Sequence, residues 1–139
     1  MRRTKIRVAG VSDTAEQKKE IQRLVREIVI KRDGGCILRF KRGCGGELGQ
    51  TTIQADHLIS RANSATYADT RLIVCVCLAC HGWKHWHEKE YDALVKTIIP
   101  KENLNLWERC EAERHAHKTK KMDWGLEILA LQKELSMLV

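Results

Sequence analysis

The segment LIVCVCLACHGWKH, residues 72–85, predicts a strand that runs directly into a helix. Residues 72–76 are rich in β-branched side chains, which favour strands. From Leu78 the apolar spacing changes to the helical period, and this pattern continues until Pro100, where a helix must end. The periodic positions expected to face the core are Trp83, Trp86, Leu94, Val95 and Ile98.

A second strand is expected upstream, at residues 51–55, where β-prone residues precede Asp56 and His57. Residues 34–50 are rich in glycine, cysteine and basic side chains and lack periodicity, so they predict a loop with tight turns. Residues 59–70 are polar and irregular, which also indicates a loop. Two strands followed by a helix, with further helices on both sides, predict an α+β protein.

Helices are expected on both sides of this core. Asp13-Thr14-Ala15-Glu16 has the capping-box pattern of a helix start, and the helical pattern after it stops at Asp33-Gly34-Gly35. Asn103 and Asp123 are the expected caps of two C-terminal helices. The expected organisation is a basic N-terminal arm at 1–12 and a single domain at 13–139, whose core at 34–99 is flanked by helices at 13–32 and 103–138.

The composition favours a nucleic-acid partner. The 139-residue chain has a formal net charge of +7 and a pI of about 9.2, and such basic proteins attract polyanions. No run of about 18 apolar residues exists, so neither a membrane-spanning helix nor a membrane partner is expected. The N-terminus lacks the apolar segment of a signal peptide. The six cysteines are therefore expected in the reducing cytoplasm, where metal binding is favoured over disulfides.

Four cysteines have the spacing of a structural zinc site. Cys77 and Cys80 form a CxxC motif, and Cys36 and Cys44 form a looser pair upstream. Two pairs of thiolates suit tetrahedral Zn²⁺, which accepts soft sulfur ligands. Cys75 is an alternative to Cys77, although its spacing to Cys80 is less favourable. The other interpretation of Cys36 and Cys44 is that they are buried free thiols.

A second group of potential ligands consists of Asp56, His57, His81 and His85. His81 and His85 are four residues apart, so a helix presents both rings to one ion. Asp56 adds a carboxylate oxygen that suits Mg²⁺ or Mn²⁺, whereas imidazoles suit Zn²⁺, Ni²⁺ or Co²⁺. His57 points to the other side of its strand and is the candidate general base, because imidazole exchanges protons near neutral pH. The alternative is that these are ordinary surface histidines.

Asp56-His57 together with Cys77-x-x-Cys80-His81-Gly82-Trp83-Lys84-His85 resembles the HNH endonuclease family. The segment Asp56-His57-Leu58-Ile59-Ser60-Arg61, with Asp69 ahead of the second strand, is similar to phage-type members, including lambdoid recombination nucleases. The likeness covers about residues 36–88. It implies a ββα-metal finger held by a four-cysteine zinc site, in a bacterial or phage-infected cytoplasm.

The resemblance also implies the activity and the role of each residue. The protein would be a metal-dependent DNA endonuclease that hydrolyses phosphodiester bonds and nicks DNA. His57 matches the general base of the family. The family's divalent-metal ligands match Asp56, His81 and His85, with Mg²⁺ or Mn²⁺ expected and Zn²⁺, Ni²⁺ or Co²⁺ as alternatives. Its structural zinc ligands match Cys36, Cys44, Cys77 and Cys80.

One position departs from the family pattern. The middle Asn of the family, which stabilises the loop that orients the base, lies five residues before the CxxC motif, where this chain has Leu72. Asn63, or a backbone carbonyl between residues 61 and 73, is the expected substitute. This departure concerns the strength of the activity more than the fold.

Contacts with DNA are expected from four basic side chains near the motif: Arg61, Lys84, Arg39 and Arg42. Two other functions compete with the endonuclease: a catalytically weak or inactive zinc-knuckle module that binds DNA, and a structural protein. A homodimer is also compatible with the sequence, because the apolar faces of the flanking helices can pair with a second copy as well as with each other.

Overall fold

The computed structural model describes residues 13–41, 44, 53–117 and 121–138, with the backbone alone at 114–117. These residues form five helices and one two-stranded antiparallel sheet, which confirms the α+β class. The basic arm expected at 1–12 and the expected DNA contact Arg42 lie outside the described residues. The elements are α1 (Thr14–Asp33), β1 (Ile53–His57), β2 (Ile73–Cys77), α2 (Leu78–Trp86), α3 (Glu88–Ile98), α4 (Lys101–His117) and α5 (Trp124–Met137).

The first helix begins and ends at the residues that its capping pattern indicates. The Oδ1 atom of Asp13 accepts a hydrogen bond of 2.8 Å from the Glu16 N–H. Gly34 ends the helix with a φ of 72°, a left-handed conformation that favours glycine, and its N–H donates to the Ile30 carbonyl. The apolar face of α1 is buried and consists of Ile21, Leu24, Val25, Ile28 and Val29.

The two strands pair antiparallel, with Ile53 opposite Cys77 and His57 opposite Ile73. Both strands extend further along the chain than expected. Asp56 and His57 therefore belong to β1 instead of following it. Because they are neighbours in a strand, their side chains project from opposite faces of the sheet.

The loop between the strands contains two short 3₁₀ turns, at Ser64–Thr66 and Thr70–Leu72. Asp69 caps the second turn, since its carboxylate accepts a hydrogen bond from the Arg71 N–H at 3.1 Å. This turn takes Leu72 out of β2, where the sequence pattern placed it. The Leu72 side chain is buried in the core.

The single helix expected from Leu78 to Pro100 is wrong, because the chain forms two helices there. His87 separates α2 from α3, with a φ of −139° and a ψ of 46° that lie outside the helical region. The break redirects the chain, and Tyr91 and Val95 of α3 become part of the core. Since His87 is neither glycine nor proline, nothing in the local sequence indicates the break.

Trp86 also differs from the expectation that it faces the core. Its side chain is 86% exposed on the last turn of α2, next to the break. Trp83 is partly buried against the core and stacks on His87, with ring centroids 5.5 Å apart. A helix of only nine residues packs one narrow face, of which Cys80 is the buried member.

The flanking helices pack on each other within the chain. Helix α1 makes its most extensive contacts with α5 and also contacts both strands. Ile128 and Leu131 supply the buried face of α5, which Asp123 caps through the Leu126 N–H. Helix α4 adds Trp107 to the core and contacts the Thr70–Leu72 turn. Within the described part of the chain, no helix has the length and apolar character needed to cross a membrane.

Candidate active site and metal centre

Four cysteine thiols converge at the end of β2. Cys77 ends this strand and caps α2, Cys80 lies in the first turn of α2, and Cys36 and Cys44 come from the loop after α1. Their Sγ atoms all lie within 4.8 Å of one another, and those of Cys44 and Cys77 are 3.7 Å apart. A tetrahedral ion with Zn–S bonds of about 2.3 Å separates its sulfur ligands by about 3.8 Å. The cluster therefore has the spacing of a four-thiolate metal site.

The chemistry of the thiols also favours a metal. Burial raises the pKa of Cys36 to about 11, and burial also raises the pKa of Cys80. Thiols this close together ionise jointly only when a cation lies between them, and a divalent metal supplies that charge. Cys75 is buried but is not a member of the cluster, so the geometry favours Cys77 over Cys75 as the ligand from β2.

His57 is held by a backbone carbonyl. Its Nε2 atom lies 2.9 Å from the Tyr67 carbonyl oxygen. Because a carbonyl only accepts, Nε2 carries the proton and Nδ1 keeps its lone pair. The Nδ1 atom is buried and has no hydrogen-bond partner among the residues that the structure describes. Of the two substitutes expected for the missing Asn, the backbone carbonyl contacts His57, whereas Asn63 is buried in the same loop.

The surroundings keep the His57 ring neutral. Burial lowers its pKa, and the charge of Arg61 lowers it further, although the hydrogen bond to Tyr67 acts in the opposite direction. A neutral imidazole with a free lone pair is the form that a general base requires. Arg61 is exposed and lies near enough to influence His57. The expected base and one expected DNA contact are therefore neighbours.

Asp56 lies on the other face of β1 and is only 7% exposed. The Lys84 ammonium donates to both of its carboxylate oxygens, at 3.1 Å to Oδ1 and 2.9 Å to Oδ2. The Tyr91 hydroxyl donates to Oδ2 at 2.6 Å. Burial and the Asp56 charge raise the pKa of Tyr91, which therefore remains a donor at any physiological pH. Asp56 is thus a buried carboxylate held in place by two donors.

Tyr91 was not among the residues that the sequence singled out. It belongs to α3, beyond the break at His87. A tyrosine at an apolar helical position is indistinguishable in sequence from a core residue. Only the packing of α3 against the sheet shows that its hydroxyl contacts Asp56.

The expected ligands of the catalytic metal are brought together in part. His81 Nε2 lies 3.6 Å from Asp56 Oδ1. Two donor atoms with bonds of about 2.1 Å to one ion lie about 3.0 Å apart in octahedral and about 3.4 Å apart in tetrahedral geometry, so this pair is slightly wider than a shared ion requires. The rings of His81 and His85 are neighbours, with centroids 5.5 Å apart. Among the described residues, however, the four cysteines are the group whose ligand atoms all lie within 4.8 Å of one another. Asp56, His81 and His85 do not form such a group.

The expected DNA-binding side chains lie in different environments. Arg61 is exposed beside His57, whereas Lys84 is turned inward to Asp56 and its side chain is 21% exposed. Arg39 is exposed, but its guanidinium donates to the carbonyls of Asp33 and Cys36 at 3.1 and 3.3 Å. Arg61 is therefore the best placed of the three described residues to contact a phosphate.

A cavity of about 620 Å³ opens beside His57 and Lys84, where α3 and α4 face the end of β1. Its charged lining is mainly acidic and consists of Glu88, Asp92, Glu108 and Glu111, with Lys84 and Lys96. This lining repels a polyanion and admits water and cations.

Comparison with known proteins adds no relative, because no family model, curated protein or solved structure matches this chain. The resemblance to the HNH family therefore stays an expectation that rests on the motif residues.

Proposed function

We propose that this protein is a metal-dependent DNA endonuclease of the ββα-metal type that hydrolyses phosphodiester bonds. The observation that carries this proposal is the state of His57. Its Nε2–H is bound to the Tyr67 carbonyl, and its buried Nδ1 keeps a lone pair with no described partner. A structural histidine in a core has both nitrogens paired. An oriented, neutral imidazole with one unused nitrogen is suited to accept a proton.

In this mechanism His57 removes a proton from the water that attacks the phosphorus. The Tyr67 carbonyl holds the proton on Nε2, so the incoming proton goes to Nδ1. The same carbonyl then stabilises the imidazolium that forms, as a carboxylate does in other His-based sites. His57 lines the cavity, whereas its Nδ1 atom is buried, so the attacking water would reach Nδ1 only after a local movement of the surrounding side chains.

Asp56, His81 and His85 would hold the divalent ion. The first two already have donor atoms 3.6 Å apart. His85 is exposed and follows His81 by one helical turn, so the two rings lie on the same face of α2. When bound, such an ion polarises the phosphate and stabilises the charge that develops on its oxygens. The carboxylate suits Mg²⁺ or Mn²⁺, and the two imidazoles extend the choice to Zn²⁺, Ni²⁺ or Co²⁺.

The cysteine cluster would hold a structural zinc. It joins the loop of Cys36 and Cys44 to the first turn of α2, the helix that carries His81 and His85. A metal there would tie the loop after α1 to the junction of β2 and α2, and would thereby support the start of the helix that carries His81 and His85. Structural zinc sites have four protein ligands and stabilise small lobes in this way.

The DNA would contact the site through its exposed members, Arg61 and His85. The net charge of +7 favours binding dominated by phosphate contacts, which weakens as salt rises. One active site cuts one strand, so a single copy nicks DNA. A symmetric pair of copies would cut both strands.

The test is cleavage of supercoiled plasmid with Mg²⁺ or Mn²⁺, with and without EDTA. We expect nicking that EDTA abolishes and that His57→Ala lowers by about 10²–10⁴-fold, the usual contribution of a general base. DNA binding, measured by fluorescence anisotropy, is expected to persist in this variant. His87→Ala is the matched control, because His87 is exposed and stacks on Trp83 outside the site. Equal cleavage by His57→Ala and His87→Ala would refute the proposal.

A zinc-knuckle module that binds DNA without cutting it is the second candidate. The observation in its favour is that, in the described residues, the cysteines reach metal-binding spacing whereas Asp56, His81 and His85 do not all do so. Salt-sensitive DNA binding with no EDTA-sensitive nicking in any of the metals above would favour this module over the endonuclease.

A further inference from the structure

We propose that Lys84 competes with the divalent metal for Asp56 and acts as a cation built into the site. This inference rests on the proposed function, because it assumes that Asp56 is a metal ligand. It adds a positioning residue that controls metal affinity. Lys84 would hold the carboxylate oriented whenever no ion is bound, and it would withdraw when the ion binds.

The geometry of the pair carries this proposal. The ammonium of Lys84 is within hydrogen-bond distance of both Asp56 oxygens, at 3.1 and 2.9 Å. The ion expected beside Asp56 and His81 must bond to the same carboxylate. Two cations that share one carboxylate at such distances repel each other strongly when both are shielded from water. Occupation by one therefore weakens occupation by the other.

Lys84 is also placed to move. It lies on α2, one turn from His81 and next to His85, so it shares the helix of the proposed ligands. Its side chain is 21% exposed and lines the cavity beside His57. That cavity holds four carboxylates, and they offer the displaced ammonium a favourable environment. Withdrawal therefore needs a change of side-chain conformation and no change of fold.

Tyr91 would stay in place during this exchange. Its hydroxyl donates to Oδ2, while His81 lies nearest Oδ1. Oδ2 would thus keep its bond to the buried Tyr91 hydroxyl when the ammonium, which bonds to both oxygens, is displaced by the metal. Donors of this kind orient ligating carboxylates, and their loss typically weakens metal binding by about 10–100-fold.

The experiment measures Mn²⁺ binding by calorimetry in the zinc-loaded full chain, without DNA. Lys84→Met removes the ammonium and keeps most of the aliphatic stem. We expect it to bind Mn²⁺ at least about fivefold more tightly than the wild type, the lower end of typical coupling between two ligands. Tyr91→Phe is expected to bind Mn²⁺ more weakly than the wild type. The control is Lys96→Met, because Lys96 lines the same cavity but lies over the Trp107 ring, 5.3 Å from its centroid.

If Lys84→Met binds Mn²⁺ no more tightly than Lys96→Met, the proposal is overturned. The loss of one positive charge anywhere near the cavity would then explain any change in Mn²⁺ affinity. Asp56→Asn separates this failure from that of the proposed function. If Mn²⁺ binding is the same in Asp56→Asn and the wild type, Asp56 is not a ligand and both ideas fail. If Asp56→Asn loses Mn²⁺ while Lys84→Met gains nothing, only the competition is refuted.

A measurement on the wild type avoids any dependence on how the variants fold. The ¹⁵N signal of the Lys84 ammonium is expected to be visible and slow to exchange with water while it is bonded to Asp56. Titration with diamagnetic Mg²⁺ should move this signal to the position of an exposed lysine. A Lys84 signal that stays unchanged at saturating Mg²⁺ would contradict the exchange.

Discussion

Arg32, at the end of α1, is the side chain that ties this helix to the sheet. Its guanidinium donates to both carboxylate oxygens of Asp33 and to the backbone carbonyls of Thr70 and Ile73, the latter two at 2.6 Å. Asp33 in turn accepts a hydrogen bond from the Cys75 N–H at 2.9 Å. The last turn of α1 is thereby bonded to β2 and to the turn before it.

We predict that Arg32→Ala lowers the free energy of unfolding by about 2–4 kcal/mol, because two partly buried carbonyls lose a charged donor. The control is Arg23→Ala on the same helix. Arg23 forms surface ion pairs with Glu20 and Glu27, and its side chain is 54% exposed, so its loss should cost less than about 1 kcal/mol. Urea unfolding followed by circular dichroism measures both, and similar values for the two variants would contradict this role of Arg32.

For single residues, the sequence predicts which side chains take part in the site better than it predicts which groups those side chains contact. The spacing of the cysteines predicts a thiolate cluster, and the structure brings those four together. The hydrogen-bond partner of His57 is harder to predict, because it is the backbone carbonyl of Tyr67. Every residue has such a carbonyl, so the sequence does not mark this one. Lys84 was expected to face DNA and instead bonds to Asp56, since nothing in a sequence shows which way a lysine turns.

Element ends were predicted correctly at three caps but not at the fourth: Asn103, the expected cap of the helix before α5, lies inside α4, which begins at Lys101 directly after Pro100. Asp13 and Gly34 delimit α1, and Asp123 begins α5, each through a cap that residue type alone suggests. The break at His87 has no such signal, because helical spacing continues through it and only the packing of α3 requires the turn. A continuous helix would turn Trp86 toward the core, whereas the break leaves Trp86 exposed and brings Tyr91 to Asp56.

The junction of β2 and α2 offers a matched test of the cysteine site. Cys75 and Cys77 are both buried in β2, two residues apart, but only Cys77 belongs to the cluster. We predict that Cys77→Ser loses bound zinc, whereas Cys75→Ser keeps about one zinc per chain. A colorimetric chelator assay on protein purified without added metal measures this ratio. Removal of the metal from the wild type by a chelator should lower the melting temperature as Cys77→Ser does.

Retention of zinc by Cys77→Ser, or its loss from Cys75→Ser, would show that the ligands differ from those in the cluster. The serine at position 75 leaves a hydroxyl in an apolar place, so Cys75→Ser is expected to be somewhat less stable than the wild type. Stability alone therefore does not separate the two variants, and the zinc content is the decisive measurement.

In the whole molecule, the flanking helices contribute to the site as well as to the core. The Tyr67 ring packs edge-on against Trp124 of α5, with centroids 5.4 Å apart, and its hydroxyl accepts a hydrogen bond from Gln22 of α1 at 2.9 Å. Lys18 of α1 lies over both rings. The loop between the strands is thus held at Tyr67, the residue whose carbonyl orients His57. A finger without these helices would lack that support.

Trp124→Ala tests this long-range support. Loss of the ring frees Tyr67 to shift, and the proposed base shifts with it. Because displacements of about 1 Å at a reacting group cost up to about 100-fold, we expect DNA nicking to fall by about 10–100-fold. Mn²⁺ affinity should stay close to that of the wild type, since the side chains that hold Asp56 come from α2 and α3, through Lys84 and Tyr91. Leu129→Ala is the control, because Leu129 is 48% exposed on the same helix. With both variants assayed below their melting temperatures, equal nicking rates would mean that α5 only stabilises the fold, and that the position of His57 does not depend on it.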